Sequence, residues 1–161
     1  MNIIQVLPED WPVYKNGIIA VENSTFEEGV RYTEEEEEFV TFLEVHAINF
    51  IILEEDTILG YLMSSRLEDD DRCVDDPHYG KYDTVHLESI AILPTHQSKG
   101  LGKQLFKAFL NKAFETYKRV VLDATSDGMI RLAESEGFVK KKFQPHWEGT
   151  RDSWFMEKIR E

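Results

Sequence analysis

Hydrophobic and polar positions divide the first third of the chain into a strand followed by helices. Residues 2–7 alternate as a strand, and Asp10-Trp11-Pro12 is typical of a helix start, with Asp10 as the cap and proline in the first turn. One helix, or two short ones, would then extend to about Phe26. Thr33-Glu34-Glu35-Glu36 is a capping box and predicts another helix that ends near Val45.

The middle of the chain is predicted to form a β-hairpin and then a long polar loop. Residues 49–53 and 58–66 are apolar and rich in strand formers, and residues 54–57 join them. Residues 67–83 carry many aspartates and are expected to form a surface loop, and loops of that length are often functional. Because the aspartates lack the spacing of a twelve-residue calcium loop, a solvated acidic loop is expected.

The remaining pattern alternates strands and helices and sets the fold class. It predicts a strand at 85–93, a helix at about 100–117, a strand at 119–124, a short helix at 127–136 closed by Gly137, and a final hairpin of 138–146 and 152–159. The order of these elements predicts an α/β (mixed α+β) fold, in which one mixed sheet carries helices on both faces.

Composition and charge narrow the class of protein and its partners. A length of 161 residues predicts one domain, 1–161, and 42% hydrophobic residues are typical of a globular chain. The chain shows neither a signal pattern nor a long apolar span, so a cytoplasmic protein is expected, and its single cysteine, Cys73, excludes an internal disulfide. The net charge of −13 disfavours nucleic acid and anionic membranes as partners; it either attracts cationic partners such as amines or only aids solubility.

One turn between a strand and a helix carries the strongest chemical signal. The hexad Gln97-Ser98-Lys99-Gly100-Leu101-Gly102 opens the helix predicted at about 100–117. Helix-start N–H groups are unpaired, glycines let an anion approach them, and Lys99 and Lys103 add positive charge, so the turn predicts a phosphate or pyrophosphate cradle. A purely structural turn is the alternative. A Rossmann fingerprint would need a third glycine, and a P-loop would need Gly-Lys-Ser/Thr.

The hexad and its surroundings resemble the GNAT superfamily of N-acetyltransferases. The family pattern is Gln/Arg-x-x-Gly-x-Gly/Ala after an apolar strand that ends in proline, and here Ile90-Ala91-Ile92-Leu93-Pro94 precedes the hexad. Ser135-Glu136-Gly137-Phe138 resembles a second family landmark, and the element order matches over nearly the whole chain. The resemblance implies a central mixed sheet of six to seven strands, flanked by about four helices, with splayed central strands.

The resemblance also implies acetyl-CoA as co-substrate and no metal. Backbone amides from Ser98 to Lys103 would hold the pyrophosphate, the strand at Ile90 to Ile92 would pair with the pantetheine arm, and Arg131 would contact the nucleotide end or serve as a salt-bridged surface arginine. The cofactor-binding residues implied are Ile90, Ala91, Ile92, Gln97, Ser98, Lys99, Gly100, Leu101, Gly102, Lys103 and Arg131.

Acetyl transfer to an amine requires a base, an oxyanion donor and an acid. His86 and Glu88 are two residues apart on a strand and share a face, and the resemblance places a base there, with Glu88 preferred, His86 second and Asp123 third. Alternatively, they are ordinary polar residues of a partly exposed strand. The resemblance assigns the oxyanion donor to the Ile92 N–H. Ala133 stands where many members have the tyrosine that protonates the leaving thiolate. The general acid would therefore be Tyr79, Tyr82 or water, or the thiolate leaves without a proton donor.

The expected activity is transfer of an acetyl group to a primary amine, with a non-catalytic acyl-CoA sensor or regulatory module as the alternative. Aromatic and acidic residues of the segments that form the family's acceptor site suit a cationic amine, small or protein-borne. These residues are Trp11, Tyr14, Glu22, Phe26, Asp69 to Asp76, Tyr79, Tyr82, Trp147 and Trp154. Family members are often dimeric, and the sequence leaves open both a homodimer and a substrate-binding role for loop 67–83.

Overall fold

The computed structural model describes residues 1–25, 36–148 and 151–161, which form a mixed sheet with helices on both faces. In those ranges the sheet has seven strands in the order β1-β2-β3-β4-β5-β7-β6. The strands are β1 (Asn2–Gln5), β2 (Phe50–Glu54), β3 (Thr57–Arg66), β4 (Thr84–Ile92), β5 (Arg119–Ala124), β6 (Val139–Glu148) and β7 (Arg151–Ile159). The α-helices are α1 (Trp11–Thr25), α2 (Leu101–Thr116) and α3 (Asp127–Ser135). The predicted fold class is confirmed, with three α-helices in the described part of the chain rather than about four.

The first two predicted helices differ in detail from the structure. Asp10 precedes α1 as expected, but its carboxylate accepts the N–H of Leu7 at 3.0 Å and so closes the turn before the helix. The capping box at 33–36 lies mostly outside the described residues. The described remainder of that helix, Glu36–Leu43, is a 3-10 helix interrupted at Phe39. No helix of the described residues is both long and apolar enough to cross a membrane.

Two hydrophobic cores lie on opposite faces of the sheet. One core lies under α1, where Ile18 packs with Phe39, Phe42 and Tyr61, all fully buried. The other lies under α2 and α3, where Leu105, Phe106 and Phe109 pack against β4 and β5 together with Phe138. Burial on both faces explains why the central strands read as nearly continuous apolar runs, and it holds β4 and β5 in the middle of the molecule.

The central strands separate halfway along their length, as the predicted splay requires. In the described residues β4 and β5 pair in parallel only from Thr84↔Arg119 to Leu87↔Leu122. Beyond that point β4 continues to Ile92, where it pairs on its other side with β3. The backbone of β4 from Glu88 onward therefore borders a gap.

Loop 67–83 is tied to the sheet rather than freely solvated. The Glu68 carboxylate accepts the N–H groups of Gly80 (2.8 Å) and Tyr82 (3.1 Å). At the base of β5, the buried Arg119 donates to both carboxylate oxygens of Asp76 (2.9 and 3.2 Å) and to Glu157 (2.6 Å). The expectation of a solvated acidic loop is thus wrong for Asp76, which neutralises a buried arginine, and it holds for the exposed Asp69, Asp71 and Asp75.

We expect Arg119→Met to destabilise the fold by about 2 kcal/mol, since it leaves two partly buried carboxylates without their shared cation. Equilibrium denaturation in urea measures the loss. Lys118→Met is the matched control because it removes the same charge from the adjacent, exposed position and should cost far less. Equal losses in the two variants would show that net charge, rather than the buried ion pairs, sets the effect.

Candidate active site

The turn that leads into α2 has the conformation expected of an anion cradle. Ser98 and Gly100 adopt left-handed backbone angles, with φ of 63° and 79°. Gly100 is the N-cap of α2 without a side-chain cap, and Gln104 donates the first intrahelical bond, to the Gly100 carbonyl at 3.1 Å. The amides that precede Gln104 therefore lack intrahelical partners. Residues 98–100 and Lys103 are exposed, so an anion can reach this helix start.

The edge of β4 that borders the gap has backbone groups turned outward. Leu93 donates its N–H to the Leu59 carbonyl on β3 (2.8 Å), whereas the Ile92 carbonyl accepts the side-chain amide of Gln97 (3.0 Å). Hydrogen bonding alternates along an antiparallel ladder, so the N–H and C=O of Ile90 and Ile92 face the gap, while those of Ala91 face β3. Ile90 and Ile92, two of the three predicted pantetheine-pairing residues, thus direct their N–H groups to the correct side, while the Ile92 carbonyl is already engaged by Gln97 and Thr25.

A β-bulge in β4 arranges the side chains beside the gap. The register with β3 passes from Met63↔Ser89 to Ser64↔Leu87, which leaves Glu88 as the extra residue. Side chains before and after the bulge, Leu87 and Ile90, pack into the same core. Glu88 and Ser89 are consequently both displaced to the other face, the one that carries α1.

A cavity of about 470 Å³ lies on that face, beside the point where β4 and β5 diverge. All three predicted catalytic residues, Glu88, His86 and Asp123, line it. Loop 67–83 forms one wall and β6 and β7 form the other. The remaining lining residues are Leu67, Asp70, Arg72, Cys73, Asp75, Asp76, Pro77, Leu87, Val121, Lys142, Gln144 and Phe155.

His86 lies at the base of the cavity between carboxylates. Its Nε2 is 3.1 Å from Asp123 Oδ2, and its Nδ1 is 3.3 Å from Glu88 Oε1 and 3.9 Å from Asp70 Oδ2. Burial favours the neutral ring, but the neighbouring carboxylates of Asp123 and Asp70 outweigh it, so the pKa of His86 is raised well above 6.5. Burial opposes ionisation of Asp70, but the neighbouring His86 ring and the hydrogen bonds from Arg72 dominate and hold the pKa of Asp70 below its usual value.

Glu88 is held in place by a hydroxyl and a cation. Its Oε1 accepts the Ser65 hydroxyl at 2.7 Å, and its Oε2 accepts Arg72 at 2.9 Å. The Glu88 side chain is only 6% exposed, whereas that of Arg72 is 72% exposed. Because Arg72 reaches in from the surface, it can move away and release one carboxylate oxygen to a molecule in the cavity.

The residues considered as general acid do not reach this cavity. Ala133 is fully buried in α3 and carries no hydroxyl. The Tyr79 hydroxyl donates to the Glu68 carbonyl (3.4 Å), and Tyr82 stacks on the guanidinium of Arg66 (4.9 Å). Arg131, which was predicted to contact the nucleotide end of acetyl-CoA, is exposed on α3.

Several residues predicted to bind the acceptor belong to the cores instead. Trp11 is buried and stacks on Phe42 with ring centroids 5.0 Å apart, and buried Glu22 accepts the Tyr61 hydroxyl. Trp154 packs toward the α2 face. The predicted residue Phe26 and the side chain of Trp147 lie outside the described part of the chain.

Sequence reasoning missed the lining residues on β6 and β7. Phe155 lies opposite Asp123 in the pairing of β5 with β7, one residue beyond Trp154 and therefore on the opposite face. Lys142 and Gln144 reach the cavity from β6. The alternation in β7 was visible in the sequence, but only the strand register shows which of its two faces meets the cavity.

Comparison with known proteins gives a consistent picture. The family model described as the acetyltransferase (GNAT) family matches residues 10–138. The search of curated proteins found no match. Among solved structures, the loading GNATL domain of CurA from Lyngbya majuscula aligns with a TM-score of 0.77 at 20% identity, covering 98% of this chain and 96% of that domain.

Two further solved structures are similar over nearly their whole length. The protein yncA from Salmonella typhimurium, solved with its cofactor acetyl-CoA, aligns with a TM-score of 0.74 at 19% identity, and the alignment covers 100% of this chain and 94% of yncA. The ribosomal-protein-S18-alanine N-acetyltransferase from Escherichia coli has a TM-score of 0.72 at 18% identity and covers 99% and 94%. At these identities the similarity supports the shared fold.

Proposed function

Because this chain belongs to the GNAT family of acetyltransferases, we propose that it is a single-domain N-acetyltransferase that transfers an acetyl group from acetyl-CoA to a cationic primary amine. The observation that carries this proposal is the position of the acidic cavity. Five of its lining residues are acidic, and Glu88 lies where β4 and β5 diverge. A carboxylate-rich cavity stabilises an ammonium group and disfavours anionic acceptors.

The donor half of the proposal is supported by the turn before α2. Its unpaired amides, the left-handed Gly100 and the exposed Lys103 fit a diphosphate. The outward-facing backbone of Ile90 and Ile92 fits an extended pantetheine arm that adds to the strand edge. The similarity to a structure that contains acetyl-CoA supports acetyl-CoA as the donor. Bound acetyl-CoA would supply a thioester that is already activated for attack by an amine.

The acceptor half of the proposal assigns roles to the acidic residues of the cavity. Asp123 and Asp70 attract the ammonium group, and Phe155 offers an aromatic face to its alkyl chain. Glu88 accepts the ammonium proton, which leaves the nitrogen lone pair free to attack the carbonyl carbon. The Ile92 N–H is available to donate to the carbonyl oxygen as it gains negative charge. With no tyrosine at Ala133, water protonates the departing thiolate.

A thiol-release assay with a panel of acceptors tests the proposal. We expect turnover of acetyl-CoA with polyamines, lysine or peptides with a free amino group, and none with neutral alcohols or acidic peptides. Mass spectrometry of the product should show an amide that hydroxylamine does not cleave. Equal rates with the alcohols would contradict the proposed preference for amines.

The second candidate is a non-catalytic acyl-CoA-binding module. It is favoured by Ala133, which cannot protonate a thiolate, and by Glu88, whose two carboxylate oxygens already accept hydrogen bonds from Ser65 and Arg72. It predicts that calorimetry detects acetyl-CoA binding while the entire acceptor panel releases no thiol. Thermal-shift comparison with NAD and ATP separates both candidates from a site for another phosphorylated ligand, since neither should stabilise the protein as acetyl-CoA does.

A further inference from the structure

A cysteine, a histidine and an aspartate meet at the base of the cavity, although the sequence places them on different elements. Cys73 and Asp70 come from loop 67–83, and His86 comes from β4. The Cys73 Sγ, the His86 Nδ1 and a carboxylate oxygen of Asp70 all lie within 4.8 Å of one another. This set was not foreseen, because the spacing of the aspartates argued only against a calcium loop.

His86 is oriented as a metal-binding histidine. The residue is 8% exposed, and its Nδ1 makes no hydrogen bond to any described residue even though it faces Asp70 and Glu88. Its other nitrogen, Nε2, is 3.1 Å from Asp123 Oδ2. A carboxylate on the far nitrogen fixes the ring and raises the basicity of the near one, which is the usual support of a metal-ligating histidine.

From this geometry we propose that Asp70, Cys73 and His86 form a binding site for Zn²⁺. Thiolate, imidazole and carboxylate together suit zinc, which displaces the protons of the Cys73 thiol and the His86 ring to solvent as it binds, whereas calcium and magnesium prefer oxygen ligands alone. Bond lengths of 2.0–2.3 Å set the ligand atoms of a tetrahedral zinc site about 3.3–3.8 Å apart. The three atoms reach that spacing if loop 67–83 closes by about 1 Å.

Two charged residues border the site. Glu88 Oε1 lies 3.3 Å from the His86 Nδ1, beside the three ligands. Arg72 donates hydrogen bonds to both oxygens of Asp70 (3.0 and 2.8 Å) from the surface. Each carboxylate oxygen has two lone pairs, so Asp70 can accept these hydrogen bonds and bind a metal ion at the same time. Arg72 then orients the Asp70 ligand.

If the proposed function is correct, zinc bound here also inhibits the enzyme. The ion would neutralise Asp70, one of the carboxylates that attract the amine, and its positive charge would lie beside Glu88, the residue assigned as base. This regulatory role rests on the proposed function, whereas the binding of zinc does not. The two are therefore measured separately.

Alkylation of the cysteine tests zinc binding without any reference to activity. Cys73 is the only cysteine of the chain, so iodoacetamide incorporation into the full-length protein reports on this site alone. We expect submicromolar to micromolar Zn²⁺ to slow alkylation by at least about tenfold, and His86→Gln to abolish the protection. Mg²⁺ at the same concentrations should have no effect.

Two control variants keep the result interpretable. Asp71→Asn removes one exposed charge from the same loop outside the ligand set and should retain full protection. If His86→Gln does not fold, as judged by circular dichroism, Asp70→Asn takes its place and should also lose protection. Alkylation that is indifferent to Zn²⁺ in the wild type, or equal protection in His86→Gln, would overturn the site.

A third measurement concerns the regulatory role. Zn²⁺ should inhibit acetyl transfer by the wild type and by Asp71→Asn, and Cys73→Ser should require at least about tenfold more zinc, each rate being compared with that of the same variant without metal. Protection of Cys73 without inhibition would leave the zinc site standing and overturn the regulatory role. Absence of turnover from every variant together with intact protection would count against the proposed function alone.

Discussion

Replacing Glu88 by glutamine is expected to lower kcat for acetyl transfer by about 10²–10⁴-fold, because general-base catalysis contributes about this much and an amide cannot accept the ammonium proton. The fold should survive, since a glutamine carbonyl can still accept the Ser65 hydroxyl, which donates to Glu88 at 2.7 Å. Arg72 also keeps its second partner, Asp70. Steady-state kinetics with a responsive amine measures kcat and KM separately.

Whether Glu88→Gln changes kcat or KM distinguishes the two roles that Glu88 could have. A base that acts in the chemical step lowers kcat, whereas a residue that only attracts the ammonium raises KM for the amine and leaves kcat unchanged. Calorimetry should find the affinity for acetyl-CoA unaltered in Glu88→Gln. Glu115→Gln, on the exposed side of α2, is the matched control and should behave as the wild type. A rise in KM alone would transfer the role of base to His86 or Asp123.

The sequence predicts the donor half of the site better than the acceptor half, and the reason is the range of the interactions involved. The turn from Gln97 to Gly102 is local: glycine spacing, the preceding strand and the following helix fix its conformation, and the structure shows the left-handed Gly100 that the pattern requires. The predicted strand at 119–124 coincides with β5 for the same reason.

The acceptor half depends on contacts between residues that are distant in sequence. Cys73 meets His86 because loop 67–83 folds back against the sheet, where Asp76 pairs with Arg119, 43 residues away. The bulge at Glu88 is set by its register with β3. Trp11 looked like an acceptor residue because it is aromatic and lies near the N-terminus, but it completes the α1 core with Phe42. The pattern of hydrophobic positions does not predict whether an aromatic side chain lies in a core or lines a cavity.

Replacing Gly102 by glutamate is expected to weaken acetyl-CoA binding by about 100-fold while the fold is retained. A Cβ atom at position 102 would contact only Ile92 Cγ1, at 3.9 Å, so there is room for a side chain. A carboxylate in the first turn of α2 is favourable to the helix by about 0.3–1 kcal/mol, and replacing glycine in a helix adds a similar gain. The same carboxylate would lie within a few ångströms of the bound diphosphate, where repulsion of about 2–3 kcal/mol remains after screening. Since each 1.4 kcal/mol is about tenfold in affinity, calorimetry should detect the loss easily.

Comparison with Gly102→Ala separates charge from bulk at this position. Alanine fits the same space and adds no charge, and the family pattern accepts alanine here, so Gly102→Ala should bind acetyl-CoA nearly as well as the wild type. Thermal unfolding should show both variants at least as stable as the parent chain, because both remove a glycine from α2. Stability and binding therefore move in opposite directions in Gly102→Glu, which a general structural defect cannot produce. Undiminished affinity of Gly102→Glu for acetyl-CoA would mean that the diphosphate binds away from the start of α2.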